Sequence, residues 1–172
     1  FDDDDLEIAK SWWNTQGIDL GHRRRFVFIG SLSSAFHFTN VIQAFALLRA
    51  SIPQAELVIC GTGEQHEQLI RLFGDIPNVY FPGWVNQLQY QVLMQSSLAS
   101  IAPYKNTSDF IMSIPNKIID SLGYGTPIIT SLSGEVESLV VDHGVGLFCI
   151  DTIDSWLNAM HALIDKPAMR AQ

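Results

Sequence analysis

The pattern of this sequence predicts a doubly wound parallel α/β sheet, on three observations. Short apolar runs recur along the chain: Phe26–Ile29, Leu57–Cys60, Val79–Phe81, Ala99–Ala102, Ile128–Ile129 and Val145–Ile150. Segments with apolar residues at helical spacing separate them. Small-residue turns close several of the runs, as in Gly30-Ser31-Leu32-Ser33-Ser34, Gly61-Thr62-Gly63 and Pro82-Gly83. Strands that alternate with helices form βαβ units with right-handed crossovers, and continuous apolar runs suit strands covered on both faces. At 172 residues, with 47% hydrophobic and 16% charged residues, the chain can build one sizeable core.

Taken in order, residues 1–24 read as a linker leading into a domain of residues 25–172. Within the linker, Leu6, Ala9, Trp12 and Trp13 have the spacing of a short amphipathic helix, its tryptophans acting as core or interface anchors. Arg23–Arg25 reads as a solvated approach to the first strand, Phe26–Ile29. Thr39 is expected to cap a helix running to about Ser51, with Val41, Ile42, Phe45 and Leu48 facing the core. After the strand Leu57–Cys60, the Gly61 turn leads into a helix carrying Leu69, Ile70 and Phe73. A short strand at Val79–Phe81 and a helix from about Leu88 to Ser96 precede the strand Ala99–Ala102. Residues 103–112 read as a polar loop. Beyond Thr130, a helix of Val136, Leu139 and Val140, the strand Val145–Ile150 and an amphipathic helix at 153–164 complete the domain. The loops at 30–34, 61–64, 82–85, 103–113 and 131–135 all fall at the carboxyl ends of strands, where such sheets bind ligands.

The stretch Ser113–Thr130, SIPNKIIDSLGYGTPIIT, organises the rest. Pro115 suits the first helical position and Ser113 can cap the free amides. Ile114, Ile118, Ile119 and Leu122 repeat at helical spacing. Gly123 and Gly125 end the helix and Pro127 prevents its restart. Lys117 and Asp120 fall on one face near the helix start. Free amides and a lysine at a helix N-terminus attract an anion, and an acid one turn deeper can take a pair of ribose hydroxyls. Spacing alone favours a plainer reading, a capped core helix with a surface Lys–Asp pair, since most such pairs are surface contacts.

The totals exclude several functions. A net charge of −8 argues against nucleic-acid binding. No apolar run approaches membrane-spanning length and no signal peptide is visible. Cys60 and Cys149 each end an apolar run and read as buried small hydrophobes in a reducing, cytoplasmic compartment. They have no histidines at zinc spacing, and no metal or cofactor is expected. No Ser/His/Asp arrangement appears. His37 in the first loop could approach a phosphate, while His22, His66, His143 and His161 show no partner pattern. Gly61-Thr62-Gly63-Glu64-Gln65-His66 half-matches the dinucleotide fingerprint, but His66 stands in the third glycine position, against a nicotinamide cofactor.

PNKIIDSLGYGTPII closely resembles the donor-site signature of GT-B-fold glycosyltransferases, specifically the retaining family 4 (group 1) and its bacterial polysaccharide branch. VICGTGEQ, FPGWV and Ser133-Gly134-Glu135 resemble further stretches of that family. The resemblance implies the Rossmann-like donor half of a GT-B fold, beginning at an interdomain linker. It implies an enzyme that moves a sugar from a nucleotide-diphosphate donor, a uridine one by the branch, to a glycan or lipid-linked acceptor without a metal. The N-terminal acceptor domain of the same enzyme would be its partner and would hold the catalytic residues. The whole enzyme could associate peripherally with a membrane. By resemblance Asp120 takes the ribose, while Ile114, Pro115, Asn116 and Lys117 face the diphosphate. Gly30, Ser31 and Gly61 lie beside the nucleotide and Gly83 beside the base. Trp84 fits stacking on the base or half-buried packing equally, and Glu135 fits a donor contact or a solvated charge at a helix start equally. The chain departs from the commoner pattern at Ser31, at Phe36-His37 and at Met112, where an Arg, a Lys-Gly pair and a sugar-binding Glu are usual. A nucleotide-sugar epimerase domain or a non-catalytic nucleotide-binding module would share the fold.

Overall fold

The structure is a computed structural model and describes residues 2–22 and 24–166. Its parallel sheet has six strands: β1 (Arg25–Ile29), β2 (Glu56–Cys60), β3 (Val79–Gly83), β4 (Ala99–Ala102), β5 (Ile128–Thr130) and β6 (Gly146–Phe148). Their spatial order is β3-β2-β1-β4-β5-β6. Growth of the sheet therefore reverses between β1 and β4, the place where such sheets hold ligands at their carboxyl edge. Here the loops leaving those two strands are bonded together, the His37 amide donating to the Pro103 carbonyl at 2.8 Å and the Lys105 amide to the Ala35 carbonyl at 2.9 Å.

Period-two alternation along each buried strand sends side chains to two cores. From β1, Phe26 and Phe28 enter the larger core and Val27 the smaller. The larger core is covered by α2 (Thr39–Ser51) and α8 (Ile153–Asp165), through Phe45, Leu48, Trp156, Met160 and Leu163. The smaller is covered by α1 (Asp3–Thr15) and α4 (Gln87–Ser96), through Ala9, Trp13, Leu93 and Met94. Trp13 and Trp156 are both fully buried, and each places its indole N–H on an acceptor. Trp13 donates to the Gln89 carbonyl at 3.0 Å and Trp156 to the Asp151 carboxylate at 2.9 Å. A buried indole must find such a partner, so these bonds orient α1 and α8 as well as filling space. The remaining helices are α3 (His66–Phe73), α5 (Ser108–Ile111), α6 (Asn116–Gly123) and α7 (Glu135–His143).

Several local expectations need correction. Thr39 does not cap α2: Phe38 holds the cap position, without a side-chain bond. The 103–112 stretch contains the single turn α5. Asn106 anchors that stretch, donating to the Ser131 carbonyl and accepting from the Ser133 amide at 2.8 Å. Ile70 is 41% exposed rather than part of the core. Arg25 is no solvated lead-in but fully buried. Its Nε donates to Glu56 at 2.8 Å, and its other nitrogens reach Ser96 and the Asp19 carbonyl. His22 has a partner after all, with Nε2 2.9 Å from the other Glu56 oxygen. Its Nδ1 accepts from the Arg24 amide at 3.3 Å, which places the ring proton on Nε2. Pairing and hydrogen bonding are what let a charged side chain enter a core at all. Arg23 lies outside the described residues.

Candidate functional site

The carboxyl ends of β1, β2 and β3 are tied to one another in a row. The Gly30 amide donates to the Cys60 carbonyl at 3.1 Å, and the Gly61 amide donates to the Gly83 carbonyl at 2.7 Å. Leu32 and Thr62 are joined at 2.9 Å. This closeness requires glycine at Gly61, whose φ is +122°: a Cβ there would overlap the Gly30 carbonyl. A Cβ on Gly63 would collide with the Leu32 backbone in the same way. Gln65 and Glu64 reach back from the second loop to the Phe36 carbonyl and the Ser34 amide. Above this row lies a cleft of about 360 Å³, lined by Ile29, Gly30, Ser31, Gly61, Thr62, Trp84 and Val85. Trp84 is 72% exposed, so its indole stands free over the cleft instead of packing into the core.

On the β4 side, α6 starts at the same edge. Its cap is Pro115, with φ −61° and ψ 148°, so the helix begins one residue later than the proline pattern suggests. Ser113 does not cap it; its hydroxyl donates to the Asp109 carbonyl in α5. No side chain covers the first amides of α6, and the helix presents an open N-terminus. The expected apolar face is narrower than its four isoleucine and leucine positions imply. Ile118 is buried, whereas Ile119 is 54% exposed on the outward stripe with Asn116, Asp120 and Gly123.

Lys117 and Asp120 do not form a surface pair. Asp120 is exposed, near enough to Tyr90 of α4 to help hold that phenol up at about 12, after burial as the main cause. Lys117 turns in beneath the first loop. Its ammonium donates to the Ile29 carbonyl and sits 4.2 Å from the centroid of the Phe28 ring. The apolar stem follows the aromatic surface, and Gly30 leaves room for the charged end. Burial lowers the Lys117 pKa from 10.5 to about 8, against the raising influence of Asp120 and Cys60.

The structure thus brings Gly30, Ser31, Gly61 and Trp84 to one cleft, with Gly83 bonded behind it and Lys117 under its floor. Pro115 and Asn116 open the neighbouring helix. Ile114 and Glu135 line a separate depression of about 220 Å³ with Ser138, Leu139, Asp142 and His143. Glu135 begins α7 after Gly134, where a Cβ would strike the Ile111 carbonyl of α5. His37 is turned from the cleft by Asp151, which its Nδ1 meets. Thr62 and Val85 complete the lining; both lie within motifs the sequence displays. Tyr90 carries no sequence signal, because only tertiary packing sets α4 beside α6.

The sequence profile described as "Glycosyl transferases group 1" matches residues 23–166. The chain belongs to that family. Its fold is the Rossmann-like half of a GT-B glycosyltransferase. Among solved structures, WaaG, a glycosyltransferase involved in lipopolysaccharide biosynthesis, is similar with a TM-score of 0.72 at 15% identity, over 99% of this chain and 44% of WaaG. The C-terminal domain of the group 1 protein LpcC from Francisella tularensis has a TM-score of 0.69 at 13% identity, over 94% of this chain and 85% of that domain. S. aureus TarM, in complex with Fondaparinux, alpha-GlcNAc-glycerol and UDP, has a TM-score of 0.63 at 12% identity, over 87% of this chain and 30% of TarM. The group 1 chain therefore spans less than half the length of the larger enzymes it resembles. No curated protein matches it in sequence. Among the described residues, no helix is long and apolar enough to cross a membrane.

Proposed function

We propose that this group 1 domain binds the nucleotide-sugar donor of a retaining glycosyltransferase, with a UDP-sugar as donor and a glycan or lipid-linked acceptor. Convergence of the Gly30 and Gly61 loops, the free Trp84 face and the open N-terminus of α6 on one carboxyl edge carries the reading. A nucleoside diphosphate matches that chemistry: an aromatic face for the base, backbone amides and Lys117 for the phosphates, and Asp120 for the ribose hydroxyls. The UDP held in the similar TarM structure supports a uridine donor. The α6 amides and Lys117 would then stabilise charge developing on the departing diphosphate, without need of a metal. The residue beside the anomeric carbon would come from an N-terminal acceptor domain facing this one. The two buried free thiols suit a cytoplasmic location. Glu135, in the separate depression it shares with Ile114, would make a further contact to the donor.

Calorimetric titration with UDP, GDP and NAD tests the reading. UDP should bind selectively. GDP selectivity would change the donor, and NAD binding would overturn the assignment. Asp120→Ala should weaken UDP binding about tenfold, the loss of one charged hydrogen-bond acceptor, with the melting temperature unchanged. Equal affinity in the variant would remove Asp120 from the ribose.

A second reading has a specific observation behind it. The first loop offers Ser31, a buried Phe36 and a His37 engaged by Asp151, leaving the phosphates few cations. A non-catalytic nucleotide-binding module would show UDP binding but no transfer even with an acceptor domain attached.

A further inference from the structure

Lys117 has partners of an uncommon kind for a lysine. Its Nζ donates to the Ile29 carbonyl, stands over the Phe28 ring and lies 6.0 Å from the centroid of Phe36. None of these groups is charged. A Cβ on Gly30 would come within 2.5 Å of Nζ, and Ile29 and Gly30 also line the cleft. Glycine backbone is what separates the ammonium from the cleft.

We propose that the cleft takes up a phosphate group and a proton together, with Lys117 as the proton-linked anion ligand. The inference rests on the donor-binding reading and adds a linkage that reading does not require. A desolvated ammonium facing dipoles and ring faces is held against the preference of its charge for water. A phosphate arriving across Gly30 supplies the missing countercharge and restores the basicity of the amine. The charged and titratable neighbours are few. From its own helix, Asp120 favours the ammonium. From β2, Cys60 is a thiol whose own pKa burial pushes up, so it stays neutral. From β1 and the loop after it come only the Ile29 carbonyl and the Phe28 and Phe36 rings. Burial outweighs Asp120, and the free amine loses its proton near pH 8. The bound amine would hold it well beyond. A nucleotide's terminal phosphate loses its last proton near pH 6, so uptake above pH 8 belongs to the protein.

The test is calorimetry with UDP, and with inorganic phosphate as a minimal probe, at pH 7, 8 and 9 in buffers of different ionisation heat. With UDP, uptake should be near zero at pH 7 and most of one proton at pH 9; inorganic phosphate, which itself titrates near neutral pH, is compared for uptake at pH 9 alone. Affinity should fall toward about tenfold per pH unit above pH 8. Lys117→Met should abolish the uptake. Gly30→Ala, whose methyl displaces the ammonium toward water, should shrink it and carries the test if the first variant does not fold. UDP binding without uptake at pH 9 would overturn the linkage and leave the donor reading standing. Binding of neither probe at pH 7, where the amine is charged, would overturn both. Uptake unchanged in both variants would assign the proton to another group and overturn the proposal.

Discussion

Arg25 and Lys117 are cations turned into the protein, and they are compensated differently. Arg25 meets Glu56, Ser96 and the Asp19 carbonyl, so its charge is paired and its donors are used. Removing one member of such a pair strands the other. Glu56→Gln should destabilise the fold by about 3–5 kcal/mol in urea unfolding, whereas replacing both members with apolar residues should recover much of the loss. A neutral Glu56→Gln would mean that the cluster contributes nothing net. Lys117 touches only dipoles and rings, and burial outweighs the favourable influence of Asp120, which makes its stability effect depend on pH. Below pH 8 folded and unfolded chains are both protonated there, and the folded state bears the full burden of the buried charge. Between pH 8 and 10.5 the unfolded chain keeps its proton while the folded chain gives it up, so stability rises with pH. The rise is at most ~3 kcal/mol from this group. Urea unfolding of wild type and Lys117→Met across pH 7–11 should show a stability difference that changes within that window and is flat on either side. A constant difference would mean that Lys117 titrates normally.

Elements meet the ligand edge through backbone as much as through side chains. The three loops after β1, β2 and β3 lie so close that Gly61 cannot carry a Cβ. Gly61→Ala should lose more than about 2 kcal/mol of stability and most UDP binding, since both a positive φ and a backbone overlap oppose it. Retention of both properties would show that the loops can part without harm. Helix α6 follows the same logic, with its amides left open and its lysine folded under a neighbouring loop. The helix contributes little to the core, with Ile118 and Ser121 as its fully buried positions.

Across the whole molecule, two cores on opposite faces of one sheet hold the edge rigid. The smaller core depends on α1, which packs on α4 through Trp13. Trp13→Ala should destabilise the domain by about 3–5 kcal/mol, by cavity formation and the loss of its bond to Gln89. A loss under 1 kcal/mol in denaturant unfolding would mean that α1 is an appendage. The sheet order sets β1, β2 and β3 side by side, which is why the loops at Gly30, Gly61 and Trp84, distant in the sequence, line one cleft.

Much of this was legible in the sequence because its causes are local. Apolar runs of strand length, helical spacing between them and glycine-rich turns specify alternating β and α elements, and Ala99–Ala102 reads directly as β4. The glycines of these turns have different causes in the structure: Gly61 is demanded by backbone closeness, whereas Gly30 leaves room for the Lys117 ammonium. Side-chain direction was not legible. Lys117 and Asp120 share a helix face by spacing, yet one turns inward because a distant aromatic ring and a side-chain-free Gly30 make room for it. Arg25 reads as a surface charge until Glu56, on another strand, arrives beside it. His22, His37 and Tyr90 acquire partners only through contacts between elements distant in the chain. Local sequence determined which elements form and where their turns lie; long-range packing alone decided which charges are buried, which are paired and which face the cleft.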